Sequence, residues 1–153
     1  MGKHKSLEKI LELRKSSRHF IKRNINKKQL NYLLKWCKKV PSAGGFYPIK
    51  ICVMQNKLEE LANACVNQMF IAEAPIVLVL HAEPNEMLEK YGNRGWRYIQ
   101  MEAGAIAQNI HLLCCELQLI TIEIGAFDDD LITKITECPN PLLIIPISYN
   151  PKE

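Results

Sequence analysis

No run of apolar residues in this chain approaches the roughly 20 that cross a bilayer as a helix. No apolar stretch follows Met1-Gly2-Lys3-His4-Lys5 either. Together these absences predict a cytoplasmic protein without a membrane span or secretory signal. Cys-x-x-Cys is missing, and none of the six cysteines (Cys37, Cys52, Cys65, Cys114, Cys115, Cys138) pairs with a histidine at zinc-site spacing. The expectation is buried, reduced thiols and no metal site. Gly-x-Ser-x-Gly and His-Glu-x-x-His are absent, which argues against a hydrolase triad or a zinc protease. So are Gly-x-Gly-x-x-Gly and Gly-x-x-x-x-Gly-Lys-Ser/Thr, the two backbone cradles for nucleotide phosphates. A phosphate bound by this chain would have to be held by side chains.

What is present reads as one globular domain over residues 1–153, with 48% hydrophobic and 24% charged residues. Charge is unevenly spread. Residues 1–39 hold 13 Lys/Arg against 2 Asp/Glu, whereas residues 40–153 hold 7 against 14. A basic arm can attract nucleic acid. The arm carries no nucleic-acid motif, so a solvated helix surface with one anion site is the expected reading and nucleic acid is not an expected partner.

The pattern alternates helices and strands. Ser6 is placed to cap a short helix through Leu13, and Asn26 to cap a second reaching about Lys39, with Gln29 as its capping-box partner. Ile49–Met54 reads as a strand and Leu58–Met69 as a helix. Ile76-Val77-Leu78-Val79-Leu80 is too uniformly apolar for a half-exposed strand and should be central, covered on both faces. Residues 83–95 are polar and irregular, with room for one helical turn. The longest helix runs from about Trp96 to Leu117, where Ile99, Ala103, Ile106, Ile110, Leu113 and Leu117 recur at alternating steps of four and three. Small residues beside that stripe would let a second helix approach closely, inside the subunit or across a dimer. A strand at 120–124, a helix capped by Asp128 and a final strand at 142–147 complete an α/β or α+β order: a mixed β-sheet flanked by helices.

Two segments carry chemistry. Arg14, Ser16 and Arg18 alternate in a cluster suited to one anion, because arginine gives bidentate, charge-assisted bonds to phosphate oxygens. The small-residue loop Pro41-Ser42-Ala43-Gly44-Gly45-Phe46-Tyr47-Pro48 can bring backbone against a flat ligand. The histidines form no acid–base constellation, and Asp128-Asp129-Asp130 diverge by about 100° each on a helix, which suits capping better than metal binding.

These segments resemble the flavin-dependent nitroreductase family. Arg14-Lys15-Ser16-Ser17-Arg18-His19-Phe20 is similar to its Arg-Arg-Ser-x-Arg-x-Phe opening, and Pro41–Pro48 to its Pro-Ser-Ala segment. The loop is most similar to the Ser-Ala-Gly-Gly-Leu-Tyr-Pro wording of the peptide-azoline dehydrogenase branch. Tyr91-Gly92, Arg97-Tyr98, Glu102-Ala103-Gly104 and Gln108-Asn109-Ile110 resemble that branch's long helix. Gly125-Ala126-Phe127-Asp128-Asp129 and Pro141–Ile147 follow in order, so the resemblance runs from about residue 9 to 149.

It implies a nitroreductase-like α+β fold binding FMN at a homodimer interface, with the long central helix at that interface. It implies further that Arg14, Lys15, Ser16 and Arg18 hold the phosphate and ribityl chain. Pro41, Ser42, Ala43, Gly44 and Gly45 would touch the flavin, from the partner subunit. Gly125 and Ala126 would offer backbone amides to the ring, and Lys152 would be a further phosphate contact. No protein side chain is expected to be catalytic, since flavin N5 carries the hydride. The implied activity is an FMN-dependent oxidoreductase taking hydride from NAD(P)H to a small-molecule acceptor, a nitro compound or quinone, by ping-pong exchange. Two other readings stay open: flavin-dependent oxidation of a peptide azoline, and a non-catalytic flavin-binding module. The family is commonly longer, and residues 83–95, the stretch after the last strand and Ser148 in place of a glycine are where this chain departs from it.

Overall fold

The computed structural model describes residues 5–151. Lys152 therefore lies outside the described residues. Six α-helices and four strands are present among them, in the order α1 (Leu7–Leu13), α2 (Lys27–Trp36), β1 (Ile49–Met54), α3 (Leu58–Ala64), β2 (Ile76–Ala82), α4 (Asn85–Tyr91), α5 (Arg94–Glu116), β3 (Leu119–Thr121), α6 (Asp129–Thr136) and β4 (Pro141–Tyr149). The sheet order is β1-β2-β4-β3. The α+β class expected from the alternating pattern is what forms, with one difference of detail. Neighbouring strands all pair antiparallel, and the parallel component of the expected mixed sheet is a single bridge between Ser16 and Thr121. The reason is topological. The chain leaves β2 through α4 and α5 and returns as β3, running in the same direction as β2, but β4 then inserts between the two and runs against both.

β2 is the centre of the molecule. Successive strand residues point to opposite faces, and here both faces are covered. Ile76, Leu78, Leu80 and Ala82 pack with Ile99, Ile106 and Ile110 of α5. Val77 and Val79 pack on the other face with Leu61, Ile71 and Ile132. The unbroken apolar run therefore reflects burial on two sides, as expected. Each large side chain there is worth roughly 1.5–3 kcal/mol in area removed from water.

Helix ends show where local sequence was overruled. Ser6 and Asn26 cap as expected, accepting from Lys9 N and Lys28 N. Gln29 does not close a capping box. Its half-buried amide turns instead to distant elements, donating to Leu117 O at 3.1 Å and accepting from Tyr149 Oη at 2.6 Å. α2 stops at Trp36 rather than Lys39, and the Asn109 amide of α5 donates to the carbonyls of Cys37 and Lys39, both at 3.2 Å. α3 ends five residues early because Val66 and Asn67 turn to positive φ. Ser148, at the position where the resemblance expects glycine, is fully buried and ties the basic arm to β4. Its Oγ accepts from Ile21 N at 3.0 Å and lies 3.1 Å from Ile21 O.

Candidate functional site

Arg14 is the last residue to close onto α1, its N–H bonding Ile10 O at 2.9 Å. Beyond it the chain leaves the helix and runs alongside β3. Ser16 bridges Thr121 in parallel, and Ser17 N donates to Thr121 O at 3.0 Å. Main-chain bonds thus pin this stretch along β3, with Lys15, Ser16 and Arg18 exposed. Arg14 and Lys15 line a pocket of about 210 Å³ together with Lys5, His111, Gln118 and Asn150. Ser16 and Arg18 are exposed beside it, not on its wall.

Continuing from Thr121, the chain passes Glu123 and reaches Gly125 and Ala126, both exposed. Gly125 lines a second, larger cleft of about 620 Å³. A Cβ built on Gly125 would meet only Leu143, at 4.0 Å, so ligand can approach its backbone closely. One wall of the cleft is α5, through Trp96, Gln100, Ala103, Gly104 and Ala107. The two cavities meet at one pair of residues. Glu123 lines the larger, His111 lines the smaller, and His111 Nε2 hydrogen-bonds Glu123 Oε2. Partial burial pushes the Glu123 carboxyl up. The bond from His111, its own backbone N–H, and the charges of His111 and Arg14 outweigh this and hold it below its ordinary value.

The 41–48 loop is built differently. Ala43–Gly45 form one 3₁₀ turn, and Gly44, Gly45 and Tyr47 all have positive φ. A Cβ on Gly44 would fall 2.7 Å from the Phe46 ring and 3.0 Å from Tyr91 Oη, so only glycine fits. Gly45 faces open space. The Ser42 hydroxyl is fully committed: it donates to Glu102 Oε2 at 2.5 Å and accepts from Tyr47 N at 2.9 Å. Glu102 is 4% exposed, and burial raises its carboxyl pKa although the Ser42 bond opposes the shift.

The structure brings some of the expected site residues together and keeps others apart. Arg14, Lys15, Ser16, Arg18, Gly125 and Ala126 lie along one edge. Pro41, Ser42, Ala43, Gly44 and Gly45 do not join them. Glu102, which anchors Ser42, and Gly104, which lines the Gly125 cleft, are two residues apart on α5, about 200° around the helix. The helix therefore stands between the two segments within one chain. Its outward face is open: Met101 is 63% exposed, and nothing lies within 4 Å of a Cβ built on Gly104. Sequence reading named Glu102 only within the Glu102-Ala103-Gly104 resemblance of the long helix, gave it no role at the site, and did not single out Glu123. Glu102 left one trace, a carboxylate next to a core position of α5. The pairing of Glu123 with His111 left none, being a contact between separate elements. Among the described residues no cysteine is bonded to another; Cys37, Cys65, Cys114 and Cys138 are buried, whereas Cys52 and Cys115 are half-buried, against the expectation of burial throughout. Burial pushes Cys37 and Cys65 up to about 11, which makes them poor nucleophiles.

The fold is a four-stranded antiparallel sheet backed by one long helix, with a cleft of about 620 Å³ beside a smaller cation-lined pocket. A profile of the nitroreductase family matches residues 11–72 and 60–149, and the chain belongs to that family. The provisionally named nitroreductase MJ1384 of Methanocaldococcus jannaschii is 33% identical over 177 aligned positions, covering 92% of this chain and 89% of that one. An FMN-dependent nitroreductase of Clostridium difficile is similar in structure, with a TM-score of 0.79 at 25% identity over 94% of this chain and 87% of that one. A nitroreductase family protein of Streptococcus pneumoniae superposes with a TM-score of 0.83 at 18% identity, over 97% and 92% of the two chains. The two matched stretches meet at residues 60–72, in α3 and the 3₁₀ turn after it. The 83–95 stretch, where shortening was expected, is filled by α4 and the start of α5.

Proposed function

We propose that this chain is a single-domain, homodimeric, cytoplasmic FMN-dependent oxidoreductase that passes hydride from NAD(P)H to a nitro compound, quinone or similar acceptor. One observation carries the reading: a cation-lined pocket and an open-backbone cleft are joined edge to edge at Glu123 and His111. A ligand with a phosphate at one end and a flat ring at the other suits that pair of cavities. The residues fit the group. Arg14 and Lys15 line the small pocket, Ser16 and Arg18 stand beside it, and the Gly125 backbone can be approached without steric obstruction.

Bound FMN would supply the hydride chemistry at its ring. The protein's contribution is position and electrostatics. Arg14, Lys15 and Arg18 neutralise the phosphate. Gly125 and Ala126 present main chain to the ring. Gly45 offers a face with no side chain in the way, and Ser42 contributes shape and backbone, since its hydroxyl is already satisfied on both sides. Because α5 separates the 41–48 loop from the Gly125 cleft within one chain, the loop would serve the flavin of a second copy across the open face of α5.

Anaerobic addition of NADH or NADPH to the flavin-loaded protein tests this directly. Bleaching of the visible flavin band, reversed by a nitroaromatic or quinone, is the expected result. A flavin that neither donor bleaches overturns it. The Gly44-Gly45-Phe46-Tyr47-Pro48 wording favours a second reading, oxidation of a peptide azoline by the same flavin. Bleaching by an azoline-bearing peptide, and not by NAD(P)H, would select that one.

A further inference from the structure

Glu123 occupies the wall between the two cavities. It leaves the chain two residues after Thr121, which Ser16 bridges, and two residues before Gly125. Thr121 to Gly125 spans at most roughly 14 Å of chain, so the carboxylate stands midway between the phosphate end and the ring end of the proposed site. It is anchored from beneath. His111 on α5 is 3% exposed and holds Glu123 Oε2, while the Glu123 side chain is 46% exposed toward the cleft. A carboxylate can accept about four hydrogen bonds over its two oxygens; His111 and the residue's own backbone N–H take part of that capacity, and the rest can face a ligand. The neighbouring charges are Arg14, Lys15 and Lys5 around the small pocket, with Asp129 on the wall of the larger cleft. Those cations offset the repulsion a carboxylate would otherwise exert on a nearby phosphate.

We propose that Glu123 is a further cofactor-binding residue, accepting hydrogen bonds from the hydroxyls of the polyol chain that links phosphate to ring, and that His111 is its positioning residue. The assignment rests on the flavin reading above. Its physical basis is the one by which an acidic side chain grips sugar hydroxyls in dinucleotide sites: an ionised acceptor makes strong, directional bonds to neutral O–H donors. The competing role for Glu123 is a counter-ion for Arg14, acting on the phosphate alone.

Three probes separate these roles: FMN, riboflavin (no phosphate) and lumiflavin (neither phosphate nor polyol chain). Each is titrated into the flavin-free full-length protein and followed by fluorescence. Arg14→Ala should weaken FMN and leave riboflavin unchanged. Glu123→Ala should weaken FMN and riboflavin by the same factor, about tenfold, the worth of one hydrogen bond to a charged group, and leave lumiflavin unchanged. His111→Gln should reproduce that pattern more weakly, a riboflavin-to-lumiflavin ratio that general loosening of the fold would not produce. A Glu123→Ala effect confined to FMN, or one equal for all three probes, overturns the assignment. If His111→Gln does not fold, the half-exposed Glu123→Ala still decides the matter. Wild-type protein that binds none of the probes overturns the flavin reading and this assignment together, and is recognisable because it appears without any mutation.

Discussion

The Arg14–Arg18 segment and the Pro41–Pro48 loop are the two parts of the chain that carry the proposed site, and they are held in opposite ways. The first is pinned mainly by its backbone: Ser16 and Ser17 are bonded to Thr121, and Lys15, Ser16 and Arg18 are exposed. The second is pinned by its side chains: Ser42 binds Glu102 and the Tyr47 amide, and Phe46, Tyr91 and Tyr98 stack edge to face beneath it. A segment whose side chains must grip a ligand cannot also use them for its own fold. A loop that offers backbone and shape can. Ligand affinity should therefore be concentrated in the first segment and conformational stability in the second.

The largest expected effect tests the first half of that contrast. Arg14→Ala with Arg18→Ala removes the two arginines proposed to hold the phosphate, Arg14 on the pocket wall and Arg18 beside it. It should weaken FMN by about 3 kcal/mol, on the order of a hundredfold, with little change in urea midpoint. A large loss of stability with unchanged flavin content would invert the comparison. Next comes the loop. Gly44→Ala should destabilise the protein by at least about 2 kcal/mol, since its Cβ meets the Phe46 ring at 2.7 Å and the left-handed backbone adds strain. Gly45→Ala, with open space around it, should lose only the backbone term of about 1 kcal/mol. Equal effects at the two glycines would show that Phe46 yields to the new side chain. Ser42→Ala leaves the buried Glu102 and the Tyr47 amide short of a partner and should cost about 2 kcal/mol in thermal or urea unfolding. Ser16→Ala, exposed and held by main chain, should stay within about 0.5 kcal/mol.

The same contrast explains what was legible in the sequence. β1, β2 and the stripe of α5 could be read because their apolar spacing is a local property that burial then honours. Two helix ends could not. Gln29 has the right position for a capping box, yet Tyr149 and Leu117, far along the chain, take its amide. Nothing near Trp36 announces that Asn109 will receive the end of α2. Sheet direction was hidden for a related reason: helices between strands suggest parallel crossovers, and the late insertion of β4 between β2 and β3 makes every neighbouring pair antiparallel. In the site, the cations and glycines were visible as motifs. The roles of the two carboxylates that organise them, Glu102 and Glu123, were not, although Glu102 stood in a quoted motif, because each acts through a partner on another element.

Those two carboxylates supply the finest test of the comparison, because their linkage to pH has opposite signs. Glu102, under the loop, has its pKa raised by burial. The folded state therefore holds its proton more tightly than the unfolded chain, and stability is lost as pH rises from the ordinary glutamate range to the raised value. Glu123, beside the cations, has its pKa lowered by His111 and its other neighbours in spite of partial burial. Its contribution is present above the ordinary glutamate range and is lost as pH falls through the lowered value. Urea midpoints followed from acid to neutral pH should separate them. Glu102→Gln should remove a loss on the rising side and raise stability relative to wild type at neutral pH. Glu123→Gln should remove a gain and lower it there, by a small amount because the group is half exposed and screened. If both variants move the curve in the same direction, the loop and the cation edge are not held by opposing electrostatics, and the contrast between the two segments is confined to packing and backbone strain.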